Sequence, residues 1–337
     1  MAESLGVQFE REIREQPAVW ERIAVGDHAE RLAASLGNEI VFVGSGSSLF
    51  VAELGALAFR RRRINALALA ASEARLDHNA YEDRTVVAIS QSGGSTDLLE
   101  ALDVLKPKRL IALTNTIESP LAARSDIAID VGAGREVAVP ASKSVTATVA
   151  MLLHAASIAG NDESRNARVL LEAAEAVRAW LNGPHVADVV AAAEKIAQRT
   201  SVAVLGSDYG WPVARETALK IKEASYLHAE GFAAGEFRHG SIAMIDASSA
   251  VVGILDRDAL RTVAAPMREI ESSGALRYVI GTEKIDAVPC LGPAVNDPYN
   301  TLAWLVTAQM LALHAARARH VDSDAPRAIA KALIERR

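Results

Sequence analysis

The stretch AISQSGGSTDLLEAL (88–102) places Ser90, Gln91, Ser92, Ser95 and Thr96 between an apolar run and an amphipathic one, with Gly93 and Gly94 between the hydroxyls. Such hydroxyl and amide donors can hold an anion without lysine. Glycine lets the backbone approach it, and a helix that follows aims free N–H groups and a partial positive charge at the same point. A second turn, GSGSS (44–48), sets Ser47 and Ser48 behind another apolar run, so two serine-rich turns can converge on one small anion. A helix cap followed by a polar turn would use the same residue types. A Walker loop needs Gly-Lys-Ser/Thr and a dinucleotide loop needs G-x-G-x-x-G, whereas GSGSSLF offers only G-x-G.

Proton-transfer chemistry has three candidate sources. Glu216, Lys220 and Glu223 fall at i, i+4 and i+7, on one strip of a helix expected to begin near Pro212. A solvated salt-bridge strip has the same spacing. His239 lies in EFRHGSIAMID, just before Gly240 and an apolar run compatible with a helix or a strand. Lys331 stands in PRAIAKALIERR, where cations are also expected from the helix macrodipole. The single cysteine, Cys290 in AVPCLG, reads as a buried structural thiol; it excludes an internal disulfide framework and a thiolate metal cluster, and suits a reducing cytoplasm.

The elements that must position these residues read as an α/β alternation. Strands are expected at 39–46, 64–72, 85–93, 110–115 and 127–134, then at 201–208, 249–256, 275–282 and 287–293, with alanine- and leucine-rich helices between them. IVFVGSGSS and VAVLGSDYG each run an apolar strand into a glycine–serine turn at the start of a half, which suggests an internal duplication. DESRNARVLLEAAEAVRAWLNGP reads as a connecting helix ended by Asn-Gly-Pro, placing the boundary near 165–195.

At 337 residues, 50% hydrophobic and 23% charged, two globular cores are expected. A net charge of -6 and an aromatic share of 4% speak against nucleic acid, which needs a basic face or stacking platforms. The charged N-terminus, MAESLGVQFEREIREQP, has no apolar signal core, so export is not expected. VTATVAMLLHAASIAG is broken by threonines and His154 and reads as a buried helix, not a bilayer span. No membrane partner is expected, and the location expected is cytoplasmic.

Taken in order, GSGSS, SQSGGSTD, REVAVPASKSVTAT, ETALKIKEASYLHAEGFAAGEFRHGSIAMID and DAPRAIAK resemble the tandem sugar isomerase (SIS) domains of glucosamine-6-phosphate synthase and its shorter relatives, from about residue 35 to the end. The resemblance implies two tandem doubly wound parallel-sheet domains, each a three-layer αβα sandwich. The boundaries then expected are a helical segment at 1–34, domains at 35–165 and 196–330 joined by a helical linker at 166–195, and a tail at 331–337 carrying Lys331. It implies a hexose or hexosamine 6-phosphate substrate held by Ser47, Ser48, Ser90, Gln91, Ser92 and Ser95, with Val139 contributing backbone and Lys220 lying in the substrate site. Glu223 would move a proton between C1 and C2, His239 would open the sugar ring, and Lys331 would approach the open-chain carbonyl. A near-neutral imidazole suits ring opening, which needs one proton given and one taken. Lys143 and Glu73 would support the site. No metal or cofactor is implied, and a homodimer is, with His239 shared across subunits.

The sequence departs from the synthase in four ways. It presents neither the N-terminal cysteine nucleophile nor a glutaminase domain. Its loop has Gly94 and Ser95 where the synthase usually reads S-Q-S-G-E-T, closer to the short deaminase-like relatives. Ser241 replaces a common proline, and Ala141 stands where a small hydroxyl residue is frequent. The expected activity is therefore a glucosamine-6-phosphate deaminase; the alternatives are a fructosamine-6-phosphate deglycase or another amino-sugar phosphate isomerase, and a non-catalytic sugar-phosphate sensor.

Overall fold

Apolar runs in the first half become parallel strands because both of their faces are covered. They are β1 (Glu39–Gly44), β2 (Asn65–Ala70), β3 (Thr85–Ser90), β4 (Arg109–Thr114) and β5 (Ile127–Asp130). The sheet order is β2-β1-β3-β4-β5 and every pairing is parallel. On one face Val41, Val43, Val86, Ala88 and Ala112 pack with Leu98, Ala101, Leu102 and Leu105 of the helix Thr96–Leu105. On the other, Phe42 meets Phe59 of the helix Ser47–Arg60, ring centroids 5.7 Å apart. The helix Lys143–Ala159 backs this layer and is buried from Lys143 through Ser157, as expected of a core helix. Each fully buried Leu or Met on it contributes about 1.5–3 kcal/mol. Among the described residues no helix is long and apolar enough to cross a membrane.

The computed structural model describes residues 4–74, 76, 81–162, 167–329 and 331. They form two units: one of Ala18–Glu136, Lys143–Leu171 and Lys331, and another of the residues up to Pro17, Val137–Ser142 and Glu172–Ile329. The second unit holds β6 (Ser201–Gly206), β7 (His228–Ala233), β8 (Ser249–Leu255), β9 (Leu276–Gly281) and β10 (Cys290–Leu291), in the order β10-β9-β8-β6-β7 and again all parallel. Counted from its own first strand, this is the order of the first sheet. The helices Gly210–Ser225, Leu260–Glu269 and Asn300–Ala318 follow its first, third and fifth strands, as their counterparts do in the first unit. Each unit thus repeats one three-layer design, and the duplication extends to topology.

The glycine that ends the first strand of each repeat has a steric cause. A Cβ on Gly44 would lie 2.6 Å from the carbonyl of Ser48, and one on Gly206 would lie 1.9 Å from that of Gly210. In both, the first turn of the next helix closes back on the strand end.

Several expected strands are shorter in the fold. The run expected over 64–72 stops at Ala70, where the short helix Ala71–Ala74 begins, and the run over 287–293 pairs only at Cys290–Leu291. Strand β7 was not anticipated: HAEGFA is an edge strand with half-exposed residues and lacks an apolar run. Cys290 is half-buried rather than buried; its thiol donates to the Gly281 carbonyl at 3.2 Å, and burial raises its pKa.

Candidate active site

Strand β1 lies between β2 and β3, and the helices that follow β1 and β3 cover opposite faces of the sheet. The switch point of the sheet therefore lies at the carboxyl ends of these two strands, the usual ligand position in an open α/β sheet. Both serine-rich turns sit there. Gly46 adopts φ 56, ψ -127, a conformation for which glycine is suited, and leads into Ser47 and Ser48, half-buried in the first turn of Ser47–Arg60. Ser45, which the sequence did not single out, turns a buried hydroxyl with no hydrogen-bond partner into this turn. A buried unsatisfied hydroxyl is uncommon enough to call for a ligand or water.

The second turn is braced by its own backbone. Ser90 Oγ accepts the N–H of Gly93 at 3.1 Å, and Ser92 Oγ accepts that of Gly94 at 3.3 Å. Each hydroxyl keeps its own O–H to donate. The Gln91 carbonyl accepts from the Asn115 N–H at 3.1 Å and from Thr114 Oγ1 at 3.3 Å, which fixes the turn to the end of β4. Ser95 occupies the N-cap position of Thr96–Leu105, yet its side chain makes no capping bond. The helix-cap explanation of Ser95 therefore fails.

In the other unit, Glu216, Lys220 and Glu223 share one strip of the helix Gly210–Ser225. This strip is not a solvated one. The Lys220 side chain is 1% exposed and Glu216 2%; Lys220 Nζ lies 3.6 Å from Glu216 Oε1 and 2.5 Å from Glu223 Oε2, whose side chain is 22% exposed. Burying an ion pair costs more than a hydrophobic equivalent of similar volume, so such a strip marks a functional candidate. Its geometry leaves Glu223 as the outermost charge, anchored from within by a fixed ammonium.

The remaining expected residues stand on other elements. His239 is exposed, in the turn between the short helix Ala234–Phe237 and a 3-10 helix at Ser241–Met244, so of the helix or strand its apolar run is compatible with, the fold makes a single helical turn. Val139 is half-buried and its N–H points to the Asp324 carbonyl at 3.4 Å, leaving its own carbonyl as the backbone group to offer. The buried Glu12 accepts the N–H groups of Val137 and Ala138 and so sets this segment's course. Lys331 stands in a bend, with its amine 2.9 Å from Glu136 Oε2. Lys143 is buried at the start of its helix, and Glu73 is exposed. Sequence reasoning passed over Glu136 and Glu12 because a lone carboxylate in a loop carries no periodic signal. Among the described residues no cluster of His, Cys, Asp and Glu could hold a metal ion.

A serine-lined switch point on one of two like-ordered parallel sheets defines a class of α/β domain suited to a small anion, and comparison with known families places the chain within one such class. The SIS domain model matches residues 37–158 and 195–289, and the chain belongs to that family. It is 33% identical over 295 residues to a glutamine–fructose-6-phosphate aminotransferase (isomerizing) of Sulfolobus acidocaldarius, covering 87% of this chain and 49% of that protein. The aminotransferase of the same name from Corynebacterium diphtheriae is 32% identical over 370 residues, covering 98% of this chain and 59% of its own length. The chain thus spans about half the length of these relatives. Among solved structures, the C-terminal domain of glucosamine-fructose-6-phosphate aminotransferase from Francisella tularensis superposes with a TM-score of 0.85 at 23% identity, covering 96% of this chain and 99% of that one. A glucosamine-6-phosphate deaminase from Thermotoga maritima superposes with a TM-score of 0.81 at 24% identity, covering 97% and 99%. These two likenesses are of fold.

Proposed function

We propose that the protein is an amino-sugar phosphate isomerase that acts as a deaminase, converting glucosamine 6-phosphate and water to fructose 6-phosphate and ammonia. The observation that carries this reading is the buried Lys220 bracketed by Glu216 and Glu223, with Glu223 the one partly exposed carboxylate of the three groups. The names of the relatives, which act on fructose 6-phosphate, favour the same substrate class.

In this mechanism Ser47, Ser48, Ser90, Gln91, Ser92 and Ser95 hold the phosphate, whose binding energy fixes the sugar for proton transfer. His239 opens the ring by giving a proton to the ring oxygen and taking one from the anomeric hydroxyl; its exposed position suits delivery to a second copy of the chain, so the active form is a homodimer. Glu223 takes the C2 proton of the open-chain aldehyde while the carbonyl oxygen gains a proton from water, giving an enolamine; Glu223 then returns its proton to C1 as the amine nitrogen gives one up to water. Water adds to the resulting C2 ketimine and ammonia leaves. Val139 contributes its carbonyl to the sugar, Lys220 keeps Glu223 in place, and Lys331 steadies the open-chain carbonyl as a cation. No metal enters these steps.

The test is incubation with glucosamine 6-phosphate, its galactose epimer and fructoselysine 6-phosphate, measuring ammonia and ketose phosphate. Glu223→Gln should lower turnover by about 100-fold or more while leaving substrate affinity within about threefold. Equal losses in both would count against Glu223 as the base, and silence on all three compounds with binding retained would make the chain a sensor. A deglycase reading draws on one observation: next to Gly94 the nearest atom to an added Cβ is Ser92 Oγ at 4.0 Å, which leaves room for a substituent. Release of ammonia from glucosamine 6-phosphate but not lysine from fructoselysine 6-phosphate would dismiss it.

A further inference from the structure

We propose that Glu136 is a positioning residue that docks Lys331 for the reaction, an assignment that rests on the role given to Lys331 above. The Glu136 side chain is fully buried, at 0% exposure, and Lys331 Nζ lies 2.9 Å from its Oε2. The same carboxylate accepts the Ser144 N–H at 3.1 Å on Oε1 and the Ser144 hydroxyl at 2.7 Å on Oε2. Ser144 belongs to the first turn of Lys143–Ala159, where unpaired N–H groups and the helix dipole favour an anion. One carboxylate therefore ties a lysine 195 positions away to the start of a core helix.

The arrangement has the features of a site that orients rather than merely folds. A lysine side chain carries about 2 kcal/mol of rotamer freedom. Glu136 is held by the helix start before Lys331 meets it, so the amine docks on a rigid anion. Lys331 remains 24% exposed, with part of its surface still open to a ligand. Charge-assisted contacts of this length are the strong ones.

A double-mutant cycle tests the assignment. Turnover of glucosamine 6-phosphate is measured for the natural chain, Glu136→Gln, Lys331→Ala and the double variant. Glu136→Gln should lower kcat about 10- to 100-fold with KM within about threefold, and should add nothing further once Lys331 is gone. Multiplying losses in the double variant would overturn the proposal, because a carboxylate with a purely structural role acts in either background. A second measurement needs no turnover: the acetylation rate of Lys331 relative to the exposed Lys195, read by mass spectrometry. It should rise in Glu136→Gln, and an unchanged rate would overturn the docking even if no substrate is found; a raised rate in an inactive chain would preserve the docking and sink the proposed function alone. Should Glu136→Gln fail to fold, Glu136→Asp carries both measurements, since shortening the side chain by a methylene breaks the contact with Lys331.

Discussion

Gly93 and Gly94 are neighbours with opposite obligations. Gly93 has φ +61, and a Cβ there would lie 2.0 Å from Ser119 Oγ, while its carbonyl accepts the Leu121 N–H at 2.9 Å. Gly94 has open space beside it. Gly93→Ala should destabilise the protein by roughly 1–3 kcal/mol and weaken phosphate binding, because strain and collision coincide at the turn proposed to hold the phosphate. Gly94→Ala should change stability by less than about 0.5 kcal/mol. Urea unfolding and a phosphate titration of both variants check this, and equal tolerance would mean the turn relaxes freely. The glycine pair was visible in the sequence, but which of the two is obligatory depends on Ser119, a cap residue of another helix.

At the level of elements, the helix Val7–Val25 begins on groups supplied from the far end of the chain. Asp324 accepts the N–H of Gln8 and of Phe9, each at 2.8 Å, and Asp322 accepts that of Gly6 at 3.0 Å. Inside the helix Pro17 has no N–H for the Ile13 carbonyl, and the Gln16 side-chain amide donates to that carbonyl instead at 3.1 Å. Asp324→Ala should cost about 1–2 kcal/mol, the loss expected of a removed N-cap, as a lowered urea midpoint with an unchanged slope. An unchanged midpoint would mean water replaces the carboxylate at no cost. Strand legibility follows the same logic of cover. Central strands β3 and β8 are buried throughout and read as unbroken apolar runs, whereas the edge strand β7 is half-exposed and leaves no apolar run, and the edge strand β10 pairs over only two residues of the run expected there.

For the whole molecule, acid should be the destabilising direction. His314 on Asn300–Ala318 is desolvated and faces Arg317, Arg14 and Glu10; burial first, then the arginine charges, bring its pKa from 6.5 down to about 4. The imidazole is thus neutral in the folded protein where the unfolded chain already binds a proton. Its contribution is complete above pH 6.5 and is lost as pH falls toward about 4. Burial would raise the Glu10 carboxyl, but its bonds to Arg317 and Arg14 prevail and hold it below the usual range, extending the loss to lower pH. Urea midpoints across this window should fall for the natural chain and flatten for His314→Asn; identical slopes would remove His314 from the account.

What the sequence determined by itself was local: apolar runs, glycine–serine turns, the i, i+4, i+7 strip and the order of motifs that marks the family. Periodicity and turn chemistry are properties of neighbouring residues, so they survive without coordinates. Only the tertiary structure decided that Lys220 is buried, that the Ser95 side chain makes no capping bond, and that Glu136 meets Lys331. Burial and long-range pairing depend on which faces the fold covers, and no spacing along the chain encodes that.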